Sequence, residues 1–237
     1  MAERTIVYGR NPVGELIAAG SRPVRAVHAL ARIAREPWLS GAGVRVQVAE
    51  RAALGRLAGT SDHQGVVAET DPYPYAEASE LIHAEGPLLC LDGAQDPRNV
   101  GAVARVAEAG GAGGLVIPAR GGPGITAVAC KASAGAVEHL RIARVDGMAG
   151  FLHDARGAGR VVAGADSSAK GALDHRAAGL PADAVIVLGA EGSGLRPRVR
   201  DACELLVRIP MRGRVDSLNL SVAAGILLFG LPSPREH

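Results

Sequence analysis

The second half of this chain constrains its fold most, because short and wholly apolar runs alternate there with helical patterns from residue 87 onward. Leu88–Leu91 leads into a helix over Pro97–Ala109, and Leu115–Ile117 into a helix over Ala127–Ala136. Strands follow at Leu140–Val145, Val161–Ala163, Ala184–Leu188 and Leu205–Ile209, then a last helix from Ser217 to about Phe229. A strand with no polar face must be covered on both sides, and helices between strands make their neighbours parallel. The pattern predicts an α/β domain with a mainly parallel sheet, whose ligand site lies at the carboxyl ends of the strands. Aromatic residues make up only 3% of the chain, so Ala, Val, Leu and Ile must fill that core.

Residues 1–70 read differently. A helix over Pro12–Ala19, strands at Val24–Ala31, Val44–Val48 and Gly65–Ala68, and a helix over Arg51–Ala58 predict a small α/β domain. Asp71-Pro72-Tyr73-Pro74-Tyr75 marks the boundary, since its prolines favour extended backbone. The expected organisation is a small domain over 1–70, a linker over 71–86 and a large domain over 87–237. Residues 1–70 hold nine Arg against six acidic residues, while the remainder is almost neutral. Arginine forks suit phosphates and base edges, although arginine in place of lysine also follows from base composition alone. Cys90, Cys130 and Cys203 are far apart and odd in number, which argues against a disulfide framework or zinc site and fits a reducing cytoplasm. The first ten residues lack the apolar run of a signal peptide, and no apolar stretch reaches membrane length.

Three loops carry the unusual residues. In the first, Asp96-Pro97-Arg98-Asn99-Val100-Gly101, Asp96 caps a helix that Pro97 opens. Val100, Val103, Ala104 and Ala107 form its apolar stripe, which leaves Arg98, Gly101, Arg105 and Glu108 on the opposite side. These are either a solvated face with an Arg105–Glu108 pair or part of a site. In the second, Gly189-Ala190-Glu191-Gly192-Ser193-Gly194 directly follows a buried strand. Its glycines are not spaced as the dinucleotide fingerprint, and Ser193 is not in a hydrolase nucleophile elbow. Glu191 is either a turn carboxylate in water or a functional group. The third runs Ile209-Pro210-Met211 and then Ser217-Leu218-Asn219-Leu220-Ser221 into an apolar helix. Asp216 or Ser217 can cap that helix, and Asn219 and Ser221 bond either to nearby backbone or to a ligand. Apolar on nearly every side, the helix should be buried.

Together and in this order, the three loops resemble the motifs of the SpoU (TrmH-like) family of SPOUT RNA ribose 2′-O-methyltransferases. The likeness covers residues 87–230 and includes Lys131-Ala132-Ser133-Ala134-Gly135-Ala136. Tyr8-Gly9-Arg10-Asn11-Pro12-Val13 and His63-Gln64-Gly65-Val66-Val67 resemble the substrate-binding domain of the branch that methylates a guanosine of 23S ribosomal RNA. The resemblance implies a C-terminal trefoil knot, which generic topology rules would not suggest, and a small N-terminal domain like a ribosomal protein. It implies S-adenosylmethionine as cofactor, held by Leu188, Gly189, Ile209, Met211 and Leu218. It also implies no metal, an RNA substrate, and a homodimer in which the partner completes the site.

For the reaction, the resemblance points to Asn99, Arg105, Glu191, Ser217 and Asn219. Arg105 as a literal base would need its pKa moved from about 13 to about 7, a cost of about 8 kcal/mol. The physical expectation is instead that Arg105 holds a phosphate and stabilises alkoxide charge. Glu191 or a water would then take the proton, Asn99 would orient these groups, and Ser217 and Asn219 would bond the hydroxyl or loop backbone. Methylation of transfer RNA or of a ribosomal adenosine, and a catalytically silent RNA-binding protein, are the competing readings. A nucleotide-binding oxidoreductase lacks its glycine fingerprint.

Overall fold

A computed structural model describes residues 4–167, 169–190, 192–214 and 217–232. The N-terminal elements are β1 (Thr5–Tyr8), α1 (Arg10–Ala19), β2 (Val24–Ala29), α2 (Ala31–Ala34), α3 (Pro37–Ser40), β3 (Val46–Val48), α4 (Arg51–Ala58) and β4 (Val66–Thr70). They form a four-stranded sheet in the order β1-β4-β2-β3, in which β4 runs antiparallel to both neighbours and β2 parallel to β3. The expected strand Val24–Ala31 stops at Ala29, because Leu30 turns the chain into α2.

The remaining elements are α5 (Ala78–Ile82), β5 (Leu88–Asp92), α6 (Pro97–Ala109), β6 (Gly114–Pro118), α7 (Ala127–Ala132), β7 (Ile142–Val145), α8 (Met148–Gly157), β8 (Val162–Ala165), β9 (Leu173–Asp174), β10 (Val185–Gly189), α9 (Pro197–Ala202), β11 (Leu205–Arg208) and α10 (Leu220–Phe229). Their seven-stranded sheet has the order β7-β6-β5-β10-β8-β11-β9, with every pairing parallel, so the predicted α/β class holds. The chain steps outward from β5 to β7, then crosses to β8 on the other side of β5. β10 later fills the gap between them. That reversal opens a crevice at the carboxyl ends of β10, β8 and β11.

The helices differ from expectation at three ends, the first being that of α1, which begins at Arg10 and not at Pro12. α7 stops at Ala132, not Ala136, because Ala134 and Gly135 adopt φ of 54° and 96° and break the helix. Ser133 stabilises the break: its hydroxyl donates to the Cys130 carbonyl at 2.9 Å and accepts from the Gly135 amide at 3.2 Å. α10 begins at Leu220, and Asn219 is its cap. Ser217 therefore precedes the helix without capping it, and the alternative cap, Asp216, lies outside the described residues.

The segment 71–86 is packed rather than loose. Tyr73 is buried and its hydroxyl reaches the carbonyls of Val137 and Leu140 at 3.0 and 2.5 Å. The Tyr75 hydroxyl accepts from the Ile125 amide at 2.7 Å. Arg160, 5% exposed, donates to the carbonyls of Ile82, Ala84, Gly86 and Asp183, binding this segment to the sheet. A buried ion pair also joins the two halves. Arg22 meets Glu138 at 2.6 Å with side chains 1% and 0% exposed, and Ser21 adds a hydrogen bond to the same carboxylate. Among the described residues, no helix is long and apolar enough to cross a membrane.

Candidate active site

The first loop begins at the end of β5. Asp96 caps α6 by accepting from the Arg98 amide at 2.8 Å, and Pro97 opens the helix as its missing N–H allows. Val100, Val103, Ala104 and Ala107 are buried as their spacing requires. Gly101 corrects the expected solvated face, because it is buried against α7, where an added Cβ would lie 2.8 Å from the Ala132 Cβ. Asn99 is half-buried in the first turn of α6. Arg98 and Arg105 are exposed, two turns apart, and neither meets a carboxylate among the described residues; the expected Arg105–Glu108 pair does not form.

The second loop leaves β10 beside the first, because Leu188 pairs with Leu91 and Gly189 with Asp92. Ala190 and Gly194 exchange two backbone hydrogen bonds of 3.1 and 2.9 Å. Glycine serves two purposes here. Gly192 and Gly194 take φ of 81° and 67°, whereas Gly189 is required for space. A Cβ on Gly189 would come within 2.5 Å of both the Gly194 carbonyl oxygen and the Leu195 nitrogen. The loop is then clamped to β5. Asp92, fully buried, accepts from the Arg196 backbone N–H at 2.8 Å and from its Nε at 2.7 Å. This contact was not expected from sequence; its signal is an aspartate closing an otherwise apolar strand.

The third loop brings Ile209 and Met211 off β11 and returns through Ser217 and Leu218 to Asn219. The Asn219 side chain accepts from the Ser221 amide at 3.0 Å and hydroxyl at 2.7 Å, so it engages the backbone of its own helix.

The second and third loops, with the end of β8, enclose a cavity of about 400 Å³, and among the described residues none of the first loop lines it. Leu188, Gly189, Ile209, Met211 and Leu218 line it, and Ser217 stands at its wall. Leu195, Val207, Leu220 and Leu227 extend the apolar surface, while Asp166, Arg200 and Arg208 supply charge. Asp166 meets Arg200 at 3.2 Å. Asn99, Arg105 and Asn219 do not line the cavity, and Glu191 lies outside the described residues. Close to the clamp, burial first and the Asp92 charge second push the Cys203 thiol up to about 12, which leaves it uncharged.

The SpoU rRNA Methylase family matches residues 87–229, the whole span of these loops. The chain belongs to that family. A second family, described as RNA 2′-O ribose methyltransferase substrate binding, matches residues 6–76. YacO of Bacillus subtilis (strain 168), assigned to the TrmH family of tRNA/rRNA methyltransferases, is 40% identical over 200 residues, which is 82% of this chain and 79% of that protein. An uncharacterized tRNA/rRNA methyltransferase of Mycobacterium avium (strain 104) is 37% identical over 99% of this chain and 79% of its own length. Among solved structures, an rRNA methyltransferase from Sinorhizobium meliloti superposes with a TM-score of 0.77 at 25% identity, covering 96% of this chain and 86% of that one. The SpoU methyltransferase AviRb from Streptomyces viridochromogenes, solved with AdoMet, shares the fold with a TM-score of 0.80 at 23% identity, covering 96% and 88%. In SpoU terms, the cavity is built where the second and third sequence motifs of this family member meet.

Proposed function

We propose that this SpoU protein transfers a methyl group from S-adenosylmethionine to a ribose 2′-hydroxyl of RNA, its target being a guanosine of 23S ribosomal RNA. The carrying observation is the cavity at the carboxyl ends of β10, β8 and β11. Its size suits a nucleoside-sized ligand, and its walls combine apolar side chains with glycine-rich backbone. Leu188, Ile209, Met211 and Leu218 would sandwich an adenine, and the backbone at Gly189 can approach it closely. Asp166, Ser193 and Ser217 add polar groups to the lining. When bound, S-adenosylmethionine supplies an electrophilic methyl on a sulfonium.

The chain must then hold the ribose and manage one proton. Arg105, exposed and without a carboxylate partner, is free to grip a phosphate and stabilise alkoxide charge. Asn99 orients the nucleotide, Ser217 bonds the incoming hydroxyl, Asn219 holds the loop backbone, and Glu191 accepts the proton. Because Asn99 and Arg105 stand outside the cavity wall, a homodimer that brings them from a partner copy suits the site best. α10 supports that assembly: it is apolar all round, yet leaves Val222 49% and Phe229 65% exposed. The trefoil knot implied by the family belongs to the same reading. The match of residues 6–76 to a 2′-O ribose substrate-binding family supports ribose as the acceptor.

Labelled S-adenosylmethionine with unmodified ribosomal RNA, followed by nucleotide mapping, tests the proposal. A 2′-O-methylguanosine in 23S RNA is expected. Label on a base, or on transfer RNA alone, would overturn the assignment.

A further inference from the structure

A second cavity, of about 250 Å³, lies where the two parts of the chain meet and is lined by Arg10, Asn11, Pro12, Gln64, Lys131 and Ala134. Lys131 comes from α7 of the methylase region and the rest of the basic wall from the N-terminal region. Their fit is close: Gly9 has φ of 99°, and a Cβ there would come 2.7 Å from Lys131 Nζ and 3.1 Å from Gln64 Oε1. Gln64, at φ of 54°, accepts from the Arg10 amide at 3.0 Å. Both walls are held in register by the buried Arg22–Glu138 pair.

The charges in this corner are unevenly matched. Arg10 is paired with Glu36. The Lys131 ammonium has neither hydrogen bond nor ion pair among the described residues, and the same holds for the Asn11 side chain. Burial lowers the Lys131 pKa, with the Asp62 charge opposing it. Arg98, on α6, lies close enough for its charge and that of Asp62 to act on Tyr8, next to Gly9. A half-buried ammonium facing a cavity without a carboxylate is under-solvated, and an anion there recovers the loss. The cavity holds no acidic side chain in its lining and offers amide groups beside the cation.

We propose that this junction cavity takes a phosphate of the RNA backbone, with Lys131 as its main contact and Arg98 extending the cationic surface along α6 towards Arg105. The inference rests on RNA being the substrate, as proposed above. A phosphate contact of this kind sets the register of the strand and reads no sequence. Its position matters because it joins both parts of the protein on one strand of RNA.

The test is the salt dependence of binding for a fluorescein-labelled single-stranded oligoribonucleotide, with wild type, Lys131→Gln, Lys131→Arg and Asn11→Asp. Lys131→Gln should weaken binding about tenfold at low salt, whatever the sequence. It should also flatten the slope of log affinity against log salt by about 0.7. Lys131→Arg should retain both, and Asn11→Asp, at an exposed position, should weaken binding without touching the lysine. Wild-type affinity and slope in Lys131→Gln, or in Asn11→Asp should Lys131→Gln prove unfolded by melting, overturns the inference. Inorganic phosphate that raises the melting temperature only when Lys131 is present, with an unchanged RNA slope, reassigns the cavity to a free anion and also overturns it. A wild-type protein that binds no RNA sinks the proposed function itself, which separates the two failures.

Discussion

Replacing Gly189 with alanine should distort the cavity and weaken the S-adenosylmethionine binding proposed for it. The added Cβ would sit within 2.5 Å of the Gly194 oxygen and the Leu195 nitrogen, and closer still to the Gly194 carbonyl carbon. Ordinary contacts between such atoms are about 3.5 Å, so the overlap is about 1 Å on several sides, and every opposing atom is backbone. No rotamer relieves it. Either β10 shifts against Asp92 and Ala165, or the loop lifts and loses the two Ala190–Gly194 hydrogen bonds. Overpacking of this kind costs about 1–3 kcal/mol. For a chain of this length that lowers the melting temperature by about 2–12 °C. If binding restores the loop, the same cost weakens S-adenosylmethionine by about 5–150-fold. Gly192→Ala is the control. Its φ of 81° makes alanine unfavourable, but nothing lies within 4 Å of the added carbon, so it should strain the loop without blocking it. Titration calorimetry and thermal melts read both variants. Wild-type affinity and melting in Gly189→Ala would refute the argument that close approach at this glycine shapes the cavity.

Two further outcomes follow from buried charge. Arg22→Met or Glu138→Leu alone should each cost about 3–5 kcal/mol in urea unfolding, because each strands a charge that is out of water, whereas the double variant should recover most of that loss. Additive losses would show that the pair is not coupled. His63, buried with its Nδ1 accepting from the Gly65 amide, has its pKa held below the ordinary 6.5, first by burial and then by Arg51. The unfolded chain therefore binds the proton more readily, so the stability from neutral His63 is complete above about pH 6.5 and is lost as pH falls from there through the lower pKa of the folded state. His63→Gln should flatten this part of the stability–pH profile; an unchanged profile assigns the acid sensitivity elsewhere.

Local signals were legible in the sequence where neighbouring residues decide the outcome. Asp96 and Pro97 mark the start of α6, and the apolar spacing from Val100 to Ala107 marks its buried face. The early end of α7 was not legible, since Ala134 adopts a left-handed backbone that alanine disfavours and only its surroundings enforce. Gly101 reads as part of a polar face until α7 is placed against it. α8 carries a readable stripe of Met148, Phe151, Leu152 and Ala155, yet the expected elements lack it. At the candidate site, the glycine loop was visible but its fastening was not, because Asp92 and Arg196 stand 104 residues apart. Arg22 and Glu138 are likewise separated by 116 residues. Periodicity carries no information about such pairs.

The segment between the two sheets behaves as a bolt and not a tether. Tyr73, Tyr75 and Arg160 fasten it by hydrogen bonds to the C-terminal part, and Arg22 of the N-terminal part donates to the Asp71 carbonyl, so the span from the junction to the carboxyl-end crevice is set by the architecture. A protein built like a caliper measures what enters it. If RNA reaches both the junction cavity and the crevice as proposed, one whose shape bridges that fixed opening engages both ends at once and one of the wrong contour touches only one, which makes geometry a filter before any base is read.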